Sequence, residues 1–193
     1  RMKWLDGTHA AKAFASRVLS PTRLGNLAQF STDFGADCID RLVHVDPDAT
    51  IEAIDRVLDG LDAPGLKALG SGRRHLVWAL EKLAFRRESF VRAATLLRRL
   101  GATETEPGIS NNATGQFQQL FQLYLSGTEA PPNMRLLVLD EGLCSTDPNE
   151  REVCVGALDR MLATHHFSRG GGAEEVGSQE PMEDWFPKSN AEI

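Results

Sequence analysis

Residues 73–100 read RRHLVWALEKLAFRRESFVRAATLLRRL. Leu76, Leu80, Leu83 and Ala84 recur at the three- and four-residue steps of one helix face. After a polar turn, Phe90, Ala93, Ala94, Leu97 and Leu100 do the same. The stretch is therefore a two-helix unit, each helix carrying one apolar face that is unstable until it packs on a neighbour.

Working outward, the same grammar repeats. A helix is expected over HAAKAFASRVL from Thr8, and Ser20-Pro21 reads as the cap and first position of the next. Asp46-Pro47 starts a helix whose Ile51, Ile54, Val57, Leu58 and Leu61 share a face, and Gly60 to Gly72 is a punctuated connection with a short helical turn around Leu66. Phe117, Leu120, Phe121, Tyr124 and Leu125 form another face, Pro131-Pro132 opens NMRLLVLDEGL, and Asp147-Pro148 opens NEREVCVGALDRML. Strand-like alternation longer than four residues is hard to find.

Three turns, near Asp46, Arg87 and Asp147, lie in similar surroundings, spaced by 41 and then 60 residues. A period near 41 suits helical repeats of the HEAT or armadillo kind, and the longer interval suits the same repeat carrying an insertion at about residues 101–114. The expected fold is all-α: an α-α superhelix over residues 1–163, with an antiparallel helical bundle as the alternative. Residues 164–193, with three consecutive glycines, read as an extended segment or linker pinned by Trp185-Phe186.

At 193 residues, 41% hydrophobic and 25% charged, the chain has the composition of one globular domain. No apolar run approaches the roughly 20 residues that a membrane-spanning helix needs. Cys38, Cys144 and Cys154 form no C-x-x-C pair and read as reduced core thiols, which points to the cytoplasm. The opening on Arg1, and the cap-like Ser189-Asn190-Ala191-Glu192 at the close, read as a piece of a longer protein.

Charge is uneven. Residues 1–72 carry a net −2, residues 73–102 a net +6 and residues 103–193 a net −10, within an overall −6. The acidic whole argues against general nucleic-acid binding. If a phosphate backbone were bound at all, the 73–99 basic block is where it would sit.

Candidate chemistry is sparse. GSGRRH, residues 70–75, sets Arg73 and Arg74 at a helix start, where free N–H groups favour an anion, yet it lacks the spacing of a phosphate-binding P-loop. Glu88 and Arg92 at i, i+4 can pair, and Arg92 with Arg99 extends a basic stripe along one helix. GISNNATG, residues 108–115, offers Asn111, Asn112 and Thr114 either as ligand-cradling groups or, with Phe117 following, as helix caps. His165-His166 with Glu174-Glu175 are metal-ligand types without a metal spacing, and no nucleophile, base and acid fall into a catalytic arrangement. No catalytic, metal or cofactor residues are assigned. The candidate binding surface is Arg73, Arg74, Arg92, Arg99, Asn111, Asn112 and Thr114, facing a protein partner or other domains of the same polypeptide. The competing reading is a small α-helical ligand binder or enzyme, with an anion pocket between Gly72–Arg74 and Asn111–Thr114.

HLVWALEKLAFRRESFVRAATLLRRL, EPGISNNATGQFQQLFQLYLSGTEAP and HFSRGGGAEE together resemble the helical-repeat region of large bacterial NTPases of the STAND or AAA type, some of which act in defence against phage. The resemblance covers about residues 70–190 and rests on helical phrases rather than catalytic signatures. It implies an α-solenoid sensor or scaffold segment beyond an NTPase module. No nucleotide-binding residues carry over, because the chain holds no Walker motif.

Overall fold

A computed structural model describes residues 8–163 and 182–189, and every regular element among them is helical. The helix start expected from Ser189 onward runs beyond the described residues, and His165-His166 and Glu174-Glu175 lie outside them.

The N-terminal part comprises α1 (His9–Val18), α2 (Leu27–Phe30), α3 (Asp33–Leu42), α4 (Pro47–Leu58) and the short α5 (Ala63–Lys67). Side-chain oxygens of Thr8, Asn26, Thr32, Asp46 and Asp62 each accept the backbone N–H three residues on, closing the first turn of these helices. A cap of this kind is worth about 1 kcal/mol. The helix expected to begin at Ser20-Pro21 does not form. Asn26 holds those residues in a turn, its Nδ2 donating to the carbonyls of Pro21 and Arg23. Arg56 of α4 meanwhile claims the Leu19 carbonyl at the end of α1, at 3.1 Å. Gly25 passes so close to that carbonyl that a Cβ would collide with it.

The centre is the stretch quoted above: α6 (Arg73–Phe85) and α7 (Phe90–Ala102). Their predicted faces, Leu76, Leu80, Leu83 and Ala84 on α6 and Phe90, Ala93, Ala94, Leu97 and Leu100 on α7, are all buried in one continuous core. There follow α8 (Ala113–Gln119), α9 (Pro132–Leu143) and α10 (Pro148–Leu162), with α7 packed against all three. Helix α8 is shorter than the apolar spacing predicts. Phe117 and Phe121 are buried with ring centroids 4.9 Å apart, but the helix stops at Gln119, leaving Tyr124 and Leu125 exposed. The carbonyls of Gln122 and Ala130 are drawn instead onto the Arg135 guanidinium, which holds residues 120–131 out of helical geometry.

Polar contacts between helices fall at nearly constant separation in sequence. His75 of α6 meets Asp33 of α3 at 3.2 Å and Lys82 meets Asp40 at 2.9 Å, both 42 residues apart, so α3 and α6 run side by side in the same direction. From α7, Arg92 takes Asp55 at 2.8 and 3.1 Å. Arg99 donates to the Asp59 and Leu61 carbonyls, which orders α4 and α7 the same way. Arg98 then reaches forward to the Val138 carbonyl of α9 at 2.8 Å, 40 residues on.

All three cysteines are free. Cys154 is buried, with its thiol pushed up to about 11 by burial, and Cys38 is half-buried. Cys144, expected in the core, is exposed where α9 ends.

Candidate functional site

The basic block is largely spent inside the fold. Arg73, at the start of α6, is buried and donates to the carbonyls of Leu66 and Leu100. Burial pushes its guanidinium down, an effect opposed by Glu104 and Glu106. Arg74 is exposed and pairs with Glu106. Arg92 and Arg99 pair with α4 as described, so Arg92 meets Asp55 across the helix interface. Two carboxylates from the loop thus stand beside Arg73 and Arg74, where an external anion would have to sit.

The loop after α7 is organised by its own side chains. Glu104 accepts the N–H groups of Thr105 and Glu106 with one oxygen, and the Thr114 N–H with the other. Asn112 is the N-cap of α8: its oxygen accepts the Gly115 N–H at 2.8 Å while its amide donates to the Glu106 carbonyl. Thr114 donates its hydroxyl to the Gly101 carbonyl, and Asn111 points outward, exposed. A polar cleft of about 480 Å³ adjoins this loop, lined among others by Lys67, Glu104, Asn112, Thr114, Asn149 and Glu152. A smaller one of about 330 Å³ holds Asp33, Arg74, His75, Trp78 and Glu106. The structure therefore separates the seven candidate residues into two sets. Arg73, Arg74, Asn112 and Thr114 gather around Glu104 and Glu106, with Asn111 at the edge, while Arg92 and Arg99 face α4.

A different corner carries the marks of a site. Arg135, in the first turn of α9, is fully buried. Its Nε donates to the Ala130 carbonyl at 2.7 Å and its Nη1 to the Gln122 carbonyl at 2.6 Å. Its Nη2 has no hydrogen-bond partner among the described residues. Burial pushes this guanidinium down to about 10, and Asp184 opposes the shift. Two more buried polar atoms without partners among the described residues, Gln122 Oε1 and Ser126 Oγ, lie in the loop that leads into α9. Leu125, between them, adopts φ 55°, a left-handed conformation costly for a residue with a Cβ. Buried polar atoms are nearly always paired. Of the five without a hydrogen bond among the described residues, three lie at this corner beside the strained Leu125, and the other two are His75 Nδ1 and Arg98 Nε.

Over this loop lies the C-terminal strap, residues 182–187. The Trp185 backbone N–H donates to the Thr128 carbonyl at 2.8 Å. The Trp185 ring sits 5.6 Å from the Arg135 guanidinium, within cation–π range. Phe186 stands beside Tyr124 with ring centroids 6.4 Å apart, and both remain about half exposed, at 48% and 52%. Met182 sulfur lies 3.9 Å from Arg86 Nη1 at the end of α6. Thr128 ties this corner back to the body, since its hydroxyl donates to the Phe85 carbonyl.

The sequence reading names Trp185-Phe186 as an anchor but not Arg135 or Thr128. The available signal was a single arginine inside the apolar run MRLLVL, a charged group in a position that other helices of the chain fill with aliphatic side chains. Among the described residues, no group of three or more His, Cys, Asp or Glu side chains is placed to hold a metal ion, and no helix is long and apolar enough to cross a membrane. Protein-family models, curated proteins and solved structures yield no match to the chain.

Proposed function

We propose that the chain is a non-catalytic helical-repeat scaffold or sensor segment, superhelical in the manner of HEAT repeats, which works by contact with a protein partner or with other domains of a longer cytoplasmic polypeptide. The observation that carries this reading is the register of the interhelical clamps between two helix pairs: α3 onto α6 at a step of 42 residues, and α4 onto α7 at steps of 37 to 40. Like elements stacked at a fixed step are how repeat proteins bury a continuous core and keep an extended surface for recognition. The last hairpin supports it further. Leu137 on α9 and Leu162 on α10 are 61% and 70% exposed, large apolar side chains of the kind that repeat proteins cover with a neighbour. The resemblance to the helical region of STAND or AAA-type NTPases agrees with such a role.

The competing small-molecule reading places an anion between Gly72–Arg74 and Asn111–Thr114, where Arg74 and Glu106 line the smaller cleft. Thermal-shift measurements against nucleotides, inorganic phosphate and divalent metals separate the two. The scaffold reading expects no saturable shift with any of them. A saturable shift that disappears in Arg74→Ala would overturn it. Arg74 is the residue to change because Arg73 is built into the core, where its removal would report on folding.

A further inference from the structure

We propose that the groove formed by Tyr124, Thr128, Arg135 and Arg86 is a docking site for an extended acidic-aromatic peptide segment of a partner protein, with the chain's own Asp184-Trp185-Phe186 as its occupant in cis. The inference rests on the scaffold reading above and names the chemistry of one partner surface.

The groove has the parts that such a segment needs. The backbone carbonyl of Thr128 accepts one main-chain hydrogen bond from an extended strand, here from Trp185. A buried cation lies under an indole face, and its remaining N–H groups at Nη2 are unspent among the described residues. A cation on the groove floor favours an acidic occupant, and Asp184, next to the tryptophan, acts on it through its charge rather than by direct contact. Tyr124 offers a second aromatic surface for the residue after the tryptophan. These are recognition elements of a main-chain-plus-pocket kind, in which hydrogen bonds to the backbone give affinity and side-chain pockets give specificity.

The occupant is held lightly in comparison. The only backbone hydrogen bond joining residues 182–187 to another described element is the one at Trp185, and Phe186 is half exposed. Across the groove the receiving loop is strained at Leu125 and fixed to α6 through Thr128 and Glu129, both of which bond to the Phe85 carbonyl. The receptor is built into the body, while the ligand is an added strand. A segment in trans with the same order of carboxylate, tryptophan and aromatic therefore competes for the same contacts.

The test uses the full chain and a fluorescently labelled peptide of residues 180–189. Anisotropy titration of Trp185→Ala is expected to show saturable binding. Wild type should bind about threefold to fivefold more weakly because its own strap competes. A peptide carrying alanine in place of the tryptophan should not bind, and adding Tyr124→Ala to Trp185→Ala should weaken binding. Circular dichroism establishes that the variants are folded. If Trp185→Ala does not fold, the double variant Asp184→Ala/Phe186→Ala serves instead, with the same expectations. The proposal is overturned if the peptide fails to saturate a folded strap variant, or if wild type and variant bind it equally. It is also overturned if wild type runs as a dimer that Trp185→Ala abolishes, since the occupant would then be a second copy of this chain. Failure of peptide binding leaves the stacking register of α3 on α6 and α4 on α7 intact, so it would not count against the scaffold reading.

Discussion

Two buried guanidinium groups, Arg98 in the helical body and Arg135 under the strap, share a residue type and meet different surroundings. Arg98 is surrounded by acceptors: the Val138 carbonyl at 2.8 Å, Glu141 at 3.1 Å and Glu150 at 3.3 Å. Its charge is balanced by carboxylates from α9 and α10, and it fixes how the last hairpin stacks on α7. Each has one nitrogen without a hydrogen-bond partner among the described residues, Nε in Arg98 and Nη2 in Arg135. But Arg135 has two carbonyls and an aromatic ring where Arg98 has carboxylates, and the carboxylate whose charge acts on it, Asp184, belongs to the strap. A buried charge is tolerated when its neighbours satisfy it, and one satisfied only in part depends on whatever covers it. The comparison teaches that burial alone does not tell a structural arginine from a recognising one, whereas the provenance of its partners does.

The comparison can be broken from its stronger side first. Arg98→Ala should cost about 3–5 kcal/mol in chemical denaturation, the usual penalty for removing one member of a buried ionic cluster. Arg98→Met, which fills the space, should recover part of it. Gly142→Ala should cost about 1–3 kcal/mol by overpacking. Its Cβ would press on Cys154 Sγ and on the Arg98 side chain, where α9, α10 and α7 meet. Asn112→Ala should lower stability by about 1 kcal/mol, the worth of an N-cap, with Asn112→Asp retaining most of it. On the other side of the comparison, Trp185→Ala should lower global stability by about 1 kcal/mol or less, the scale of a partly exposed cation–π contact.

The smallest effect is electrostatic and lies in acid. Hydrogen bonding and attraction from Arg41 hold the Asp37 carboxyl below its ordinary value. A depressed carboxyl stabilises the fold above its unfolded pKa, about 3.9, and loses that contribution as pH falls through the folded value. Asp37→Asn should therefore narrow the gap between the denaturation midpoints at neutral pH and below pH 4, relative to wild type. Because Arg41 is exposed, the difference should fade in high salt.

Much of the body is legible from local rules. The faces of α6 and α7 follow from helical spacing, and Asp46-Pro47, Asn112 and Asp147-Pro148 mark real helix starts because capping is a property of a few neighbouring residues. What sequence spacing could not supply is long-range. Residues 20–26 and 120–131 carry helix-like signals, but Arg56, 37 residues on, claims the Leu19 carbonyl just before the first, and Arg135, a turn into the next helix, claims the Gln122 carbonyl within the second. The basic stripe of Arg92 and Arg99 reads as a free surface until α4 is brought alongside with Asp55 and Asp59. The strap site was half visible: Trp185-Phe186 stood out by composition, but the floor beneath it depends on contacts across about 50 residues of chain.

Hydrogen–deuterium exchange on wild type and Trp185→Ala tests most directly whether the strap is a separable ligand on a self-sufficient body. The account predicts that the variant loses protection at residues 120–131 while residues 73–102 keep theirs, because α6 and α7 draw their stability from the core and the interhelical clamps. Loss of protection throughout α6 and α7, or no change at 120–131, would contradict it.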